Sequence, residues 1–459
     1  MAARRLHINA FENVSPVNIS SGLWRHPEDE SHRYKDLRYW VELAQLLEDG
    51  GFDSVFLADV LGIMDVYQGR PDAALRGAIQ VPINDPLSVI SAMAAVTRHL
   101  GFAVTVSLTY EQPYSFARKM TSLDHLTNGR IGWNIVTSFL DSAARNLGIN
   151  NQIPHDERYT RGDEFMEVLY KLWEHSWEDD AVVRDKAKGV YVDPQKVHAI
   201  GHHGRHFSVP DAFIAEPSPQ RTPVLFQAGS SARGQIFAAT HAEGVFVHAT
   251  RPEVLVPVVA NIRAKAAALG RDPRSLKILA VTTVVTAVTD AEAERKYKDL
   301  LSFVDYEGAM VQFAGPLGVD VSRFAPDQPL RAIKSEGAQF TARLFAEADP
   351  DREWTLRDVA IYMGVGGMGP VFVGSGKSVA DEMERWVRVA DLDGFNITYA
   401  IRPGSFADVV TYVVPELRQR GLLPPRPEAA SFREALLGAG QRHLRADHPS
   451  RRIGLKAAS

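Results

Sequence analysis

Gly51-Phe-Asp-Ser-Val-Phe-Leu-Ala-Asp59 has the properties of a buried β-strand that ends on a carboxylate. Its apolar run is short and rich in residues that favour strands. Residues 34–48, just before it, carry apolar side chains at helical spacing and are predicted to form an amphipathic helix. A further strand is predicted over residues 7–11. Strand, helix and strand in this order indicate a parallel sheet covered by helices.

The same alternation continues along the chain. Further strands are predicted over residues 101–109, 130–137, 223–229, 244–248, 276–288 and 394–399. Further helices are predicted over residues 86–99, 114–126, 234–242, 253–269, 290–301, 379–389 and 406–419. Eight strands alternating with helices favour a closed (β/α)8 TIM barrel over an open sheet.

The length of the chain leaves room for long insertions in this barrel. A TIM barrel typically takes about 250 residues, so roughly 200 of the 459 are left over. We place them in insertions near 60–85, 141–222 and 304–370, all within a single domain spanning 1–459. Loops after strands form the active-site face of such barrels, so these insertions are predicted to surround the site.

Composition and charge narrow the class of protein. Hydrophobic residues make up 45% and charged residues 23% of the chain, as in a globular protein with a large core. A net charge of −5 without any Lys/Arg run argues against a nucleic-acid partner, and no stretch of about 18 apolar residues could span a membrane. The absence of cysteine excludes disulfides and thiolate chemistry. With no signal-peptide pattern at the N-terminus, we expect a cytoplasmic enzyme that acts on a small molecule.

The segment Gln227-Ala-Gly229-Ser230-Ser231-Ala-Arg-Gly234 joins the fifth strand to a helix. Its glycines and two hydroxyls stand where the free N–H groups of a helix N-terminus point outward. Such a turn suits a phosphate group. An ordinary serine N-cap is the alternative interpretation of the same residues.

Polar side chains also stand at the ends of other predicted strands. Asp59 ends the second strand, Thr105 and Ser107 lie on the third, and Asn134 lies on the fourth, which continues to Ser138. Because the carboxyl ends of barrel strands meet at one face, we expect these side chains to converge on one pocket. Each of them alone could be structural.

Four histidines lie between His198 and His206. Imidazole is a common metal ligand, so this segment could hold a metal ion. However, the spacing fits no helical pair, and Gly201 and Gly204 indicate a loop. We therefore predict no metal site here.

Several longer strings resemble one family, the bacterial-luciferase-like flavin monooxygenases. The resemblance is to the branch with nitrilotriacetate, dibenzothiophene-sulfone, dimethyl-sulfide and long-chain alkane monooxygenases, and the last two are the most similar. It covers nearly the whole chain. The most specific strings include His7-Ile-Asn-Ala-Phe11, Gly22-Leu-Trp-Arg-His-Pro27, Thr121-Ser-Leu-Asp-His-Leu-Thr-Asn-Gly-Arg130, Trp133-Asn-Ile-Val-Thr-Ser138 and His155-Asp-Glu-Arg-Tyr159.

The resemblance implies a cofactor and its contacts. It implies that FMN, in the reduced form FMNH2, binds with O2 as co-substrate, and that a separate NAD(P)H:flavin reductase supplies the FMNH2. One oxygen atom then passes to a small organic substrate. Asn134, His155 and Tyr159 would orient or protonate the reactive flavin. A homo-oligomer, dimer or tetramer, is expected. The implied FMN contacts are Asp59, Thr105, Asn134, His155, Tyr159, Ser230 and Ser231.

The substrate region departs from the alkane-oxidising pattern. That pattern has Cys, His and His where this chain has Ser15, Asn18 and Ser21, whereas Gln80 is retained. That pattern also has a Tyr where this chain has Met64 and a His where it has Phe139. We therefore expect a different, apolar substrate such as a sulfide, a sulfone or an alkane-like compound. Its predicted pocket is lined by Phe11, Met64, Gln80, Phe139 and Phe246.

Three alternative functions remain open from the sequence. A deazaflavin-dependent hydride-transfer enzyme has the same barrel. A metal-dependent hydrolase would use the histidines between His198 and His206. A flavin-storing barrel would bind FMN without turning over a substrate.

Overall fold

Eight parallel strands form the centre of the molecule. The structure is a computed structural model that describes residues 5–229, 231–332, 345, 352–424 and 431–454. The strands are β1 (His7–Asn13), β2 (Ser54–Ala58), β3 (Gly101–Ser107), β4 (Ile131–Val136), β5 (Val224–Gln227), β6 (Gly244–Val247), β7 (Lys277–Ala287) and β8 (Gly394–Thr398).

The eight strands close into a barrel. Each strand pairs in parallel with the next one in the chain. The circle closes because β1 also pairs with β8, with Asn9 opposite Asn396. The predicted (β/α)8 TIM barrel is therefore confirmed.

Helices connect the strands and pack on the outer face of the barrel. In the helix Leu37–Asp49, for example, Tyr39, Trp40, Leu43 and Leu47 are buried. The helices are α1 (Leu37–Asp49), α2 (Asp72–Gly77), α3 (Leu87–Ala95), α4 (Pro113–Leu126), α5 (Asp141–Asn146), α6 (His155–Tyr170), α7 (Ala232–His241), α8 (Pro252–Ala268), α9 (Asp290–Leu301), α10 (Tyr306–Leu317), α11 (Leu356–Gly366), α12 (Gly376–Ala390), α13 (Gly404–Asp408), α14 (Val414–Gln419) and α15 (Phe432–Leu437). In the described ranges, no helix is long and apolar enough to cross a membrane.

Aromatic rings fill the interior of the barrel. The ring centroid of Phe56 lies 5.0 Å from that of Phe11 and 4.6 Å from that of Phe246. Below them, Phe226 stacks on Phe432 of α15, with centroids 5.8 Å apart. A side chain at Gly101 would place its Cβ 2.6 Å from the Phe432 ring, so glycine is needed where this ring enters the barrel. A packed interior closed at the amino end leaves the carboxyl end for a site.

The three predicted insertions carry additional elements. Helix α2 lies in the first. The second holds α5, the helix α6 and two antiparallel hairpins, Val182–Asp185 with Val190–Val192 and His202–His203 with Ser208–Val209. The third holds α10 and α11, and it is followed by the strand Val371–Ser375, which pairs with the second half of β7. That strand was not predicted.

Candidate functional site

Two neighbouring cavities open at the carboxyl ends of the strands. The first has a volume of about 410 Å³ and is lined by the ends of β4 and β5 and by the first turn of α6. The second has a volume of about 490 Å³ and includes Thr105, Ser107 and Gln80. Asp59 and the two residues after it line both. Asp59, Thr105 and Ser107 thus line neighbouring cavities at one face of the barrel.

The turn between β5 and α7 forms one end of the first cavity. The Ser231 hydroxyl accepts a hydrogen bond from the Gly234 N–H at 3.0 Å and caps α7. A Cβ at Gly229 would lie 2.9 Å from the Cα of Gly234, and a Cβ at Gly234 would lie 2.8 Å from the Tyr159 hydroxyl. Only glycine leaves space for a ligand here. Ser230, the other predicted contact, lies outside the described residues.

Helix α6 presents three side chains to this turn. His155, Arg158 and Tyr159 are spaced i, i+3 and i+4, so they share one helix face. The His155 Nε2 atom lies 3.3 Å from the Ser231 hydroxyl, and the His155 and Tyr159 ring centroids are 5.1 Å apart. The Arg233 guanidinium lies over the Tyr159 ring at 5.4 Å. The imidazole of His155, the phenol of Tyr159 and the nearby guanidinium groups make this end of the cavity suitable for an anion.

Arg158 was not predicted as a site residue. Its side chain is buried, its Nη1 donates to the Ser138 carbonyl at 2.6 Å, and its Nε has no hydrogen-bond partner in the described residues. Burial lowers the pKa of this guanidinium. Its i, i+3 spacing from His155 places both residues on one helix face, but which face of α6 meets the cavity is decided by packing.

Asp59 lines both cavities, and Asn134 of β4 is bonded to Thr105 of the second cavity. Burial, followed by repulsion from the Asp85 carboxylate, raises the pKa of Asp59 to about 7. The Asn134 Nδ2 donates to the Thr105 hydroxyl at 3.0 Å, whereas its Oδ1 is buried with no partner in the described part of the chain. A buried amide oxygen without a partner is costly unless a ligand or water satisfies it.

The five predicted substrate residues do not line one common cavity. Phe139 lines the first cavity and Gln80 the second. Met64 is buried, and it lies with Phe139 around Gly315 of α10. Phe11 and Phe246 instead complete the aromatic core of the barrel, below both cavities. Their roles toward a substrate stay predictions.

The histidines of the second insertion form separate pairs. His198 Nε2 lies 2.9 Å from Glu178, and His202 Nε2 lies 3.3 Å from Glu164 of α6. The Glu164 carboxylate also accepts from the backbone N–H groups of His206 and Phe207. Within the described ranges, no group of three His, Asp or Glu side chains could hold a metal ion. These contacts fasten the insertion to α6.

The fold and site together define a TIM barrel with a cavity at its carboxyl face and a glycine- and serine-containing turn after β5 at the edge of that cavity. The sequence profile described as luciferase-like monooxygenase matches residues 19–391. The chain belongs to this family, as the resemblance predicted.

Three relatives show how similar other members are. The dimethyl-sulfide monooxygenase of Hyphomicrobium sulfonivorans is 48% identical over 447 residues, covering 97% of this chain and 93% of the relative. The crystal structure of a long-chain alkane monooxygenase superimposes with a TM-score of 0.91 at 46% identity, covering 98% of this chain and 99% of that one. A riboflavin lyase solved with modified FMN and the substrate riboflavin superimposes with a TM-score of 0.89 at 40% identity, covering 99% and 100%.

Proposed function

We propose that this protein is the oxygenase of a two-component, FMN-dependent monooxygenase that inserts one atom of O2 into a small apolar molecule. The observation that carries the proposal is the turn at Ser231. There a helix N-terminus, two glycines and the side chains of His155 and Tyr159 surround one end of a cavity. The other end of this cavity reaches Asp59.

The residues fit FMN in size and chemistry. A phosphate at the start of α7 would accept hydrogen bonds from free N–H groups in the space kept open by Gly229 and Gly234. His155 and Tyr159 would contact the phosphate and the ribityl chain. The polar edge of the ring would meet Asp59 and the unpaired Oδ1 of Asn134. A cavity with a polar group at each end and apolar side chains between them matches this cofactor.

Reduced FMN, when bound, supplies the two electrons that activate O2. The protein's own groups would hold it and control protons. Asp59 is neutral below a pH of about 7 and can then donate its proton, whereas above that pH it only accepts hydrogen bonds. The Asn134 Nδ2 donates to the Thr105 hydroxyl, which leaves the Asn134 Oδ1 for a ligand.

Exclusion of water is the second task of the fold. Helix α10 of the third insertion contributes Pro316 to the lining of the first cavity, and the first insertion contributes Leu61 to both cavities. Apolar side chains from two insertions thus border the site, where they would limit the access of water to the activated oxygen.

The second cavity is the proposed substrate site. Apolar side chains such as Leu61, Ile63 and Ile83 line it together with Gln80. We propose a neutral sulfide, sulfone or alkane-like compound as substrate, because burying apolar surface stabilises binding by about 25 cal/mol per Å². Gln80 would orient a polar atom of the substrate.

Further parts of the proposal concern the surroundings of the enzyme. A separate NAD(P)H:flavin reductase would deliver the reduced FMN. Because NAD(P)H is its electron source, we propose a cytoplasmic location. A homo-oligomer and a single domain over 1–459 also stay proposals.

The flavin site can be tested with a matched pair of variants. Ser231→Asn and Ser231→Asp both retain an N-cap side chain, so both keep α7 capped. Only Ser231→Asp places a negative charge beside the cofactor phosphate. We expect the Kd for FMN to rise about tenfold or more for Ser231→Asp, equal to about 1.4 kcal/mol, and to change little for Ser231→Asn. Riboflavin, which has no phosphate, should bind both variants equally, and equal FMN affinity in both would contradict the proposed site.

Turnover is tested by reconstitution. The protein is mixed with NADH, FMN, a flavin reductase and ¹⁸O2, and the products of dimethyl sulfide, dibenzothiophene sulfone, an alkane and nitrilotriacetate are analysed by mass spectrometry. We expect one ¹⁸O atom in the product of a neutral compound. Turnover restricted to nitrilotriacetate would refute the apolar substrate class. Binding of FMN without incorporation into any compound would favour the flavin-storing alternative.

A further inference from the structure

His248 follows directly after β6 and has no assigned role. No hydrogen bond, ion pair or ring contact ties its imidazole to the described residues. The residue is exposed. The fold therefore does not use this imidazole for its own stability.

The position of His248 follows from the strand geometry. Side chains alternate along a strand, so His248 points to the same side as Phe246, two residues earlier. The Phe246 ring lies inside the barrel, 4.6 Å from that of Phe56 on the opposite strand β2. His248 is thus one layer higher, at the mouth of the barrel.

Four residues form this uppermost layer. Interior layers of such barrels take one side chain from every second strand. One step above Phe56 and Phe246, the even-numbered strands contribute Ala58, Val136, His248 and Thr398. Two of the four are apolar, and the Thr398 hydroxyl already accepts from Asn18 at 3.4 Å. His248 is the member of this layer whose polar atoms are left for a ligand.

A bound flavin has to pass over this layer. Its phosphate would lie after β5, at Ser231, and its ring would reach Asp59 after β2, on nearly the opposite side of the barrel. Val136 of the same layer already lines the first cavity. Whatever connects the two ends therefore rests on the floor that includes His248.

We propose that His248 is a flavin-contacting residue, whose imidazole hydrogen-bonds the isoalloxazine ring system from the floor of the site. This rests on the proposed function. A neutral imidazole can both donate and accept a hydrogen bond.

Chemical labelling tests the contact directly. Diethyl pyrocarbonate modifies neutral, accessible imidazoles, and the modified peptides of the full-length protein are quantified by mass spectrometry with and without FMN. At an FMN concentration about ten times Kd, occupancy is about 90% and labelling of His248 should fall about tenfold. His155 should be protected in parallel. His99, exposed at the opposite face of the barrel, should react equally in both samples.

Two variants supply an independent measurement. His248→Leu removes the polar atoms, whereas His248→Gln keeps a hydrogen-bonding group of similar reach. We expect His248→Leu to raise the Kd for FMN by about five- to tenfold, and His248→Gln by less than about threefold. The Tm of the flavin-free protein should not fall in either variant, because the imidazole has no protein partner. A merely structural role would lower that Tm.

The outcomes separate this inference from the flavin site itself. Protection of both His155 and His248 supports it. Protection of His155 alone, or unchanged FMN affinity in His248→Leu, overturns the contact while the flavin site stands. No FMN binding and no protection of either histidine overturns both.

Discussion

Asp59 ties the stability of the flavin-free protein to pH. Burial and the Asp85 carboxylate raise its pKa from 3.8 to about 7. The folded state therefore keeps a proton on Asp59 between these pH values, while the unfolded state has lost it. Under this condition stability falls as pH rises. Below pH 3.8 Asp59 is protonated in both states, and stability does not depend on its raised pKa. Above pH 7 Asp59 is ionised in both states, and the full penalty, a loss in the free energy of unfolding, applies.

The size of the penalty follows from the same values. At about 1.4 kcal/mol per pKa unit, the difference between 3.8 and about 7 corresponds to about 4 kcal/mol. Asp59→Asn removes the ionisable group and keeps the shape of the side chain. We therefore expect Asp59→Asn to stabilise the protein by up to about 4 kcal/mol at pH 8, and by little at pH 4.

Urea unfolding of the wild type and of Asp59→Asn at several pH values between 4 and 8 measures this effect. Asp211→Asn, at an exposed position, is the matched control and should leave the pH dependence of unfolding unchanged. Asp85→Asn should reduce the penalty in part, because it removes the like charge. If the stability difference between Asp59→Asn and the wild type is the same at pH 4 and pH 8, the assignment of a raised pKa to Asp59 is wrong.

Three further predictions concern the barrel and the cofactor turn. Phe432→Ala should lower the free energy of unfolding by about 3 to 5 kcal/mol in urea titrations, because it empties the amino end of the barrel, whereas Phe432→Leu should cost less. Arg402→Met should cost about 3 to 5 kcal/mol by leaving Glu12 buried without its cation, and the double variant with Glu12→Gln should recover much of this loss. Gly234→Ala should weaken FMN binding about tenfold or more in fluorescence titrations, since its Cβ would meet the Tyr159 hydroxyl, and Tyr159→Phe should restore part of the affinity.

The barrel was predictable because its signals are local. Each strand is a short apolar run bounded by polar or glycine residues, and each helix has a clear apolar face, so the predicted and observed elements agree to within a few residues. Helix α9, for example, occupies the predicted residues 290–301. The strand Val371–Ser375 was missed although it is as long as β2 and β8. Its pairing with β7 depends on a tertiary contact.

The site was predictable only where it follows strand ends. Asp59, Asn134 and the Ser231 turn were selected because the carboxyl ends of parallel strands must meet, and their roles stay predictions. Arg158 was missed because it lies within a helix, where its position toward the cavity depends on how α6 is rotated against the barrel. That rotation is set by packing, which no local pattern in the sequence encodes.

In β6, closeness to the strand end does not decide whether a side chain reaches the site. Phe246 was assigned to the substrate pocket because it stands near the end of β6, and its ring packs on Phe56 inside the barrel, one layer below His248. The two residues point inward on the same strand and differ by one layer. Strands of a barrel are staggered around the axis, so equal distances from a strand end correspond to different heights. The register of the pairing, and not the end of any one strand, therefore decides which inward side chains meet a ligand.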